Sequence, residues 1–465
     1  MQKEHIFREY DIRGIFDIDL DQEIVTCIGE RIGALLKDAN QKSISIGYDA
    51  RVHSKQLFEW LTDGLHLHSI KINDLGLIPT PTAYFATFSP TLANTNSIMI
   101  TGSHNPKEYN GFKITLLGKP FYGQSIQALK NSIAQTPKPH PTNPQPKAIT
   151  QVPILEEYQA FLIDHFQTLR DFPHPIAIDC GNGVAGVALI PVLQALNIDF
   201  VALYADPDGD FPNHHPDPSE AKNLQDLKRL MHDQQIPIGL AFDGDADRIA
   251  LLSTRVAYQG DELTILFAHQ IAQEIAPQKP IIIGEVKCSS VMYDEIDKIG
   301  TSVMYKTGHS NLKVKLKELN ASFAGEMSGH LFFNDRYFGY DDGIYAGLRA
   351  LELFLHSSIE SVEEQILSLP KLCSTPEEKI PTTEDKKFQI IATLQKKLQN
   401  PNQEFPKIKQ IIDIDGIRVV FENGWALIRA SNTTPVLVTR FEAKTQEDLE
   451  LYKAQMLSLI EDELR

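Results

Sequence analysis

Short apolar runs such as Ile44–Tyr48, Ile176–Cys180, Ile238–Phe242 and Ile281–Ile283 alternate with longer stretches, Leu263–Ile275 and Ile344–Leu355 among them. Runs of the first kind read as buried strands and stretches of the second as helices, and their alternation predicts α/β layering. Leu155, Tyr158, Leu162, Phe166 and Leu169 recur at three-to-four-residue spacing, which predicts a helix over 154–169 with one buried face. Before it, the proline-rich segment Thr136–Pro153 lacks the donors a packed helix or central strand needs and is expected to separate two domains. The end of the chain differs. Strand-like runs at Ile408–Ile414, Ile417–Phe421, Ala426–Arg429 and Val436–Phe441 precede a single expected helix, Glu447–Leu464, which suggests a smaller α+β domain on an antiparallel sheet. A weak internal repetition points to three similar units, each a short apolar strand running into a polar, glycine-containing loop: SIMI then TGSHNP, GLAF then DGDADR, SFA then GEMSGH. Loops at the carboxyl ends of strands are where α/β sheets place ligands.

At 465 residues the chain exceeds the size at which one core stops growing, so several domains are expected. The net charge of −17 argues against a nucleic-acid or membrane-surface binder and requires that any anionic substrate meet a local basic pocket. Cys27, Cys180, Cys288 and Cys373 are scattered singly, as in a reducing compartment. The start of the chain is polar where a signal peptide would be apolar, and no run approaches the ~18 apolar residues of a membrane span, so a cytoplasmic protein is expected.

Four loops carry candidate chemistry. Thr101–Pro106 sets Ser103 beside His104 and Asn105; a capping serine in a turn would look the same, while the G-x-S-x-G elbow of a triad hydrolase is missing. In the second loop Asp243, Asp245 and Asp247 alternate just before Arg248, a spacing that lets a turn converge three carboxylates on one hard cation. An EF-hand fails here, because its sixth position is Arg248 in place of glycine and its twelfth is Thr254 in place of glutamate. The third loop, Gly325–His330, offers Glu326 and Ser328 to vicinal sugar hydroxyls, and polar turn residues between strands would explain it equally. The fourth, Arg429–Pro435, joins a guanidinium to hydroxyl, amide and backbone donors suited to a phosphate dianion, or is an ordinary hairpin connection. Two further features compete. Gly181–Gly186 is a literal G-x-G-x-x-G with Asp206 beyond it, the fingerprint of a dinucleotide site, although a tight strand-to-helix turn needs the same glycines. His214 and His215 are read as a structural loop, and Asp341 and Asp342 as caps of the following helix, in preference to metal ligands.

Taken in order, the segments FREYDIRG, TGSHNPKEYNGFK, DCGNG, FPNHHPDP, DGDADR, VKCSS, KTGHS, GEMSGHLFF, FGYDDGIYA and RASNTTP resemble the α-D-phosphohexomutase family, most closely its bacterial phosphomannomutase/phosphoglucomutase branch. The resemblance implies an α/β fold of three related mixed α/β domains plus a smaller C-terminal α+β domain around a central cleft. The expected divisions are 1–147, 148–256, 257–370 and 371–465. It implies reversible movement of a phosphoryl group between C1 and C6 of glucose or mannose, through a phosphorylated Ser103 and a hexose 1,6-bisphosphate. Asp243, Asp245, Asp247 and the phosphoserine would hold Mg2+, with glucose 1,6-bisphosphate as activator. Glu326 and Ser328 match the readers of sugar hydroxyls, and Arg429, Ser431, Asn432 and Thr433 the holder of the substrate's phosphate. Tyr10, Arg13, Lys287, His309 and His330 match further substrate-binding positions, and His104, Lys113, Arg248 and His330 catalytic ones. The general base stays open among His330, Lys113 and His104. The implied partners are glucose and mannose 1- and 6-phosphates, bound by a monomer, with no nucleic acid and no membrane. The alternatives are a phosphoglucosamine mutase within the family and an NAD-dependent oxidoreductase outside it.

Overall fold

The computed structural model describes residues 3–135, 148–401, 403–432 and 434–464. Two compact units divide the chain, Met1–Leu263 with Ser328–Glu364, and Thr264–Met327 with Gln365–Arg465.

In the first unit one mixed sheet runs in the order Ile12–Ile15, Tyr109–Leu116, Ser97–Ile100, Ser43–Tyr48, Lys71–Leu77, Ile149–Gln151. Both neighbours of Tyr109–Leu116 are antiparallel to it, and the remaining pairs are parallel. Ile44, Ile46, Ile98 and Ile100 of this sheet pack with Val25, Ile28 and Ile32 of helix Gln22–Asp38 and with Leu57, Leu61 and Leu65 of helix Ser54–His66. The first of these helices starts where it does because the Asp21 carboxylate accepts the Ile24 N–H at 2.9 Å, a cap worth about 1 kcal/mol.

A second sheet runs Ile249–Ser253, Ile238–Phe242, Ile176–Asp179, Phe200–Leu203, the first pair antiparallel and the others parallel. That order and those directions reproduce the stretch from Tyr109–Leu116 to Lys71–Leu77 in the first sheet, so the repetition in the sequence is a repetition of topology. Ile238–Phe242 is buried along its whole length, which is why it reads as an unbroken apolar run. Helix Gly343–His356, from the returning segment, lies against this sheet.

In the second unit Thr301–Tyr305, Ile281–Glu285 and Phe323–Gly325 are parallel, matching three positions of the same pattern. An antiparallel sheet follows in the order Cys373–Ser374, Val436–Ala443, Gly424–Ala430, Ile417–Val420, Gln410–Ile412, with Glu378–Pro381 also on Val436–Ala443. The fold class is therefore the expected one.

Several expectations shift in detail. Residues 136–147 of the proline-rich linker lie outside the described residues. Past them, Ile149–Gln151 pairs in parallel with Lys71–Leu77, so the first sheet extends beyond the division expected at 147. Helix Ile154–His165 is followed by a 3-10 turn, Gln167–Leu169, and its buried face begins at Ile154, with Leu155 only half-buried. The single C-terminal helix is two, Gln446–Ser458 and Glu461–Leu464. Helix Glu384–Lys397 was not anticipated, because its lysines mask the stripe of Ile390 and Leu394 that it buries. Among the described residues no helix is long and apolar enough to cross a membrane.

Candidate active site

Ser103 sits in the loop after strand Ser97–Ile100 with φ +48°, a left-handed conformation that costs a non-glycine residue about 1–2 kcal/mol. The strain is held by local bonds: its N–H donates to Thr101 Oγ1 at 2.8 Å. Its Oγ donates to Asp243 Oδ2 at 2.8 Å and lies 3.2 Å from His104 Nδ1. The nucleophile candidate and the aspartate loop, 140 positions apart, thus meet directly.

Asp243, Asp245 and Asp247 have no exposed surface, and oxygens from all three lie within 4.8 Å of one another. Arg248 donates to Asp243 from its backbone N–H and from Nε, each at 3.1 Å, and its Nη1 reaches Asp217 Oδ1 at 3.4 Å. Lys113 Nζ donates to Asp245 Oδ2 at 2.7 Å and to Asp247 Oδ2, while the Thr80 hydroxyl donates to Asp245 Oδ2 at 2.6 Å. Burial, then the charges of Asp245 and Asp247, push Asp243 up to about 7. Burial would raise Asp245 too, but Lys113 and Thr80 prevail and hold it below the usual carboxylate range. Burial pulls the Lys113 ammonium downward, and its aspartate partners overcome that and raise it.

Three buried carboxylates against two cations leave negative charge uncompensated. Asp245 Oδ1 and Asp247 Oδ1 are buried without a hydrogen-bond partner. All-oxygen donors, crowded and partly unsatisfied, fit a hard divalent cation.

His330 pairs through its backbone with Arg248, and its Nδ1 stands 3.2 Å from Asp341 Oδ2 and 3.7 Å from Asp247 Oδ1. Ser328 lies two residues before it, half-buried. Arg13 Nη1 donates to Gly102 O at 3.2 Å and Asn105 Oδ1 at 2.7 Å. Tyr10 occupies the bend before strand Ile12–Ile15, half-buried. His104 is held well below its ordinary value by burial and by the Arg248 and Arg13 charges.

The second unit assembles the remaining candidates. Glu326 Oε1 accepts the Gly308 N–H at 2.6 Å, immediately before His309 opens helix His309–Leu319. Asp415 accepts the Thr307 N–H at 3.0 Å and Arg429 Nε at 3.0 Å, joining Arg429 to the loop beside Glu326. Lys287 Nζ is 2.8 Å from Glu377 Oε1 and 3.3 Å from Glu285 Oε1. Ser431 Oγ lies 2.9 Å from Thr434 Oγ1, and Lys387 Nζ donates to Ser431 O at 2.7 Å. Asn432 is half-buried in the same loop, and Thr433 lies outside the described residues.

Four family models match in succession: phosphoglucomutase/phosphomannomutase alpha/beta/alpha domain I over 4–140, domain II over 156–255, domain III over 259–372, and the C-terminal domain over 377–459. The chain belongs to the phosphoglucomutase/phosphomannomutase family. It is 42% identical over 448 residues to a phosphomannomutase/phosphoglucomutase of Pseudomonas syringae, covering 96% of this chain and 92% of that one. A phosphoglucomutase of Neisseria meningitidis serogroup A is 39% identical, covering 98% of this chain and 96% of that one. A solved structure of a family protein from Burkholderia thailandensis superposes with a TM-score of 0.86 at 33% identity, over 99% of this chain and 97% of that one.

Within this phosphoglucomutase/phosphomannomutase frame the competing motifs take structural work. A Cβ on Gly183 would sit 2.5 Å from Gly244 O, so the glycine-rich turn packs against the aspartate loop in place of a pyrophosphate. His214 Nε2 lies 3.0 Å from Asp179 Oδ2, and Asp342 caps helix Gly343–His356 by accepting the Tyr345 N–H at 2.8 Å. Asp341, read from sequence as a second cap, instead faces His330.

The side chains that brace these loops have no sequence signature of their own: Thr80, Asp49 and Arg51 in the first unit, Asp415 and Lys387 in the second. Asp49-Ala50-Arg51, directly after a strand, comes nearest to one.

Proposed function

We propose that the chain interconverts the 1- and 6-phosphates of glucose and mannose, using Ser103 as the phosphoryl carrier and a hexose 1,6-bisphosphate as intermediate. The observation carrying this reading is the 2.8 Å contact of Ser103 Oγ with Asp243 inside a buried cluster that also holds Lys113 and Arg248. Asp243, Asp245, Asp247 and a phosphoserine oxygen would hold Mg2+, which when bound supplies charge neutralisation of the phosphoryl group and of the leaving oxygen. Arg248 and Lys113 add fixed positive charge for the equatorial oxygens.

The C6 hydroxyl of a 1-phosphosugar attacks phospho-Ser103; its proton leaves, the bond from phosphorus to the serine oxygen breaks, and that oxygen regains a proton. After the bisphosphate reorients, the C1 phosphoryl returns to Ser103 and the 6-phosphosugar departs. We assign the hydroxyl proton to His330, whose Nδ1 stands 3.2 Å from Asp341 Oδ2, because Lys113 is tied to two carboxylates and the His104 ring faces Ser103 itself. Glu326, Ser328 and His309 are assigned to sugar hydroxyls, and Arg429, Ser431, Asn432 and Thr433 to the phosphate that does not react. Tyr10, Arg13 and Lys287 complete the substrate contacts. We further propose a cytoplasmic monomer, a reading supported by the net charge of −17 and by four cysteines scattered singly along the sequence.

The test is a coupled assay on glucose 1-phosphate and mannose 1-phosphate with Mg2+ and a trace of glucose 1,6-bisphosphate, wild type beside Ser103→Ala, with intact masses recorded. Wild type should turn over at least one ester and carry a phosphoryl adduct that Ser103→Ala lacks. Unchanged esters and no adduct would overturn the reading, and faster turnover of glucosamine 6-phosphate would shift it to a phosphoglucosamine mutase.

A further inference from the structure

Arg51 is 2% exposed and spends its guanidinium almost wholly on the main chain of the serine loop. Nη1 donates to Pro106 O at 2.6 Å and Tyr109 O at 2.9 Å, and Nη2 to Ser103 O at 2.8 Å and Asn105 O at 2.6 Å. Nε faces Asp49 Oδ2 at 3.3 Å, and that carboxylate also accepts the Thr101 hydroxyl at 2.7 Å and the Gly102 N–H at 3.2 Å. Phe211, from the FPNHHPDP segment, covers the guanidinium with its ring centroid 5.1 Å from Cζ. Carbonyls crowded on one side of a loop repel one another unless a planar fork of donors collects them, and arginine alone among the side chains offers that fork.

We propose that Arg51 is a positioning residue for phosphoryl transfer: it gathers the carbonyls of Ser103, Asn105, Pro106 and Tyr109 and so keeps the left-handed Ser103 aimed at Asp243. The proposal rests on the mutase reading of Ser103. Asp49 orders the other side of the loop and aligns the guanidinium, while Phe211 keeps water from its face. None of these groups touches the reacting atoms; they act through the backbone that carries the serine.

R51K and G102A test it. Lysine keeps the charge but has no fork. A Cβ on Gly102 would lie 2.5 Å from Arg51 Cζ and Nε and 2.8 Å from Tyr109 O, one of the carbonyls the guanidinium gathers, so alanine there wedges the two apart without deleting the arginine. Both variants would be measured beside wild type for Tm, for kcat and KM on glucose 1-phosphate with Mg2+ and glucose 1,6-bisphosphate, and for the phosphorylated fraction by intact mass. The expected result is a kcat loss of roughly 10–100-fold per folded molecule with KM within about threefold. A purely structural Arg51 would lower Tm and leave kcat per folded molecule at the wild-type value, which overturns the proposal, as does a rise in KM at unchanged kcat. Should R51K fail to fold, G102A carries the comparison. A wild-type protein that isomerises neither ester overturns the reading of Ser103 itself, and the positioning role with it.

Discussion

Lys113 and Asp342 show how single buried charges are set by what surrounds them. Lys113 is 5% exposed and is bound by two carboxylates, so Lys113→Met leaves buried negative charge without its partner, a loss of about 3–5 kcal/mol. A divalent cation would offset part of that loss. Thermal unfolding of Lys113→Met should therefore move upward on adding Mg2+ by more than that of wild type, and equal shifts would argue against a cation among these aspartates. Asp342 accepts the hydroxyls of Tyr158 and Tyr337 at 2.8 and 2.7 Å and the Tyr345 N–H, yet burial outweighs them and pushes it up to about 6. Between the ordinary value near ~4 and about 6 the folded state holds a proton the unfolded chain has released, so this group's contribution is full at low pH and is lost as pH rises through 6. Asp342→Asn keeps the cap and removes the titration. Relative to wild type it should gain on the order of 2–3 kcal/mol between pH ~4 and ~7, read from denaturant midpoints across that range.

Loops, more than strands, carry what the sequence left unread. The serine and aspartate loops were legible because their reactive groups are neighbours in the chain and follow apolar strands. Their supports were not, since Arg51 and Thr80 are ordinary residues until folding brings distant carbonyls and carboxylates to them. Helix Glu384–Lys397 was hidden for a related reason: a charged exposed face dilutes a narrow apolar stripe. At this scale the contact between Gly183 and Gly244 makes a prediction. Gly183→Ala forces the two loops apart, and overpacking of this kind costs about 1–3 kcal/mol. Mutase turnover should fall more steeply than stability, because the backbone displaced belongs to the aspartates, and the ratio of kcat to folded fraction measures it.

For the molecule as a whole, the repeated strand order was foreshadowed by three strand-then-loop segments, but the partition into units was not. The first unit is discontinuous: the chain leaves it after Leu263 and returns at Ser328, bringing His330, Asp341 and helix Gly343–His356. A Cβ on Gly347 of that helix would lie 3.3 Å from Ile249 and Leu240 side chains, so the helix backbone closes directly over the second sheet. No sequence period reveals such a return, since each stretch is locally consistent with its own domain. A fragment ending at Leu263 should accordingly expose that apolar face, bind a hydrophobic dye and melt below the full chain; a native-like melt would contradict it.

Because the first two sheets share one plan, Ser103 and the acidic triplet occupy corresponding corners of duplicate frames. One copy presents the serine and its sibling the carboxylates, so neither frame holds the buried cluster alone. The gap between the two tools is consequently a property of how the siblings lean on each other, and a mutation anywhere along that seam can detune the reaction while leaving every reactive group intact.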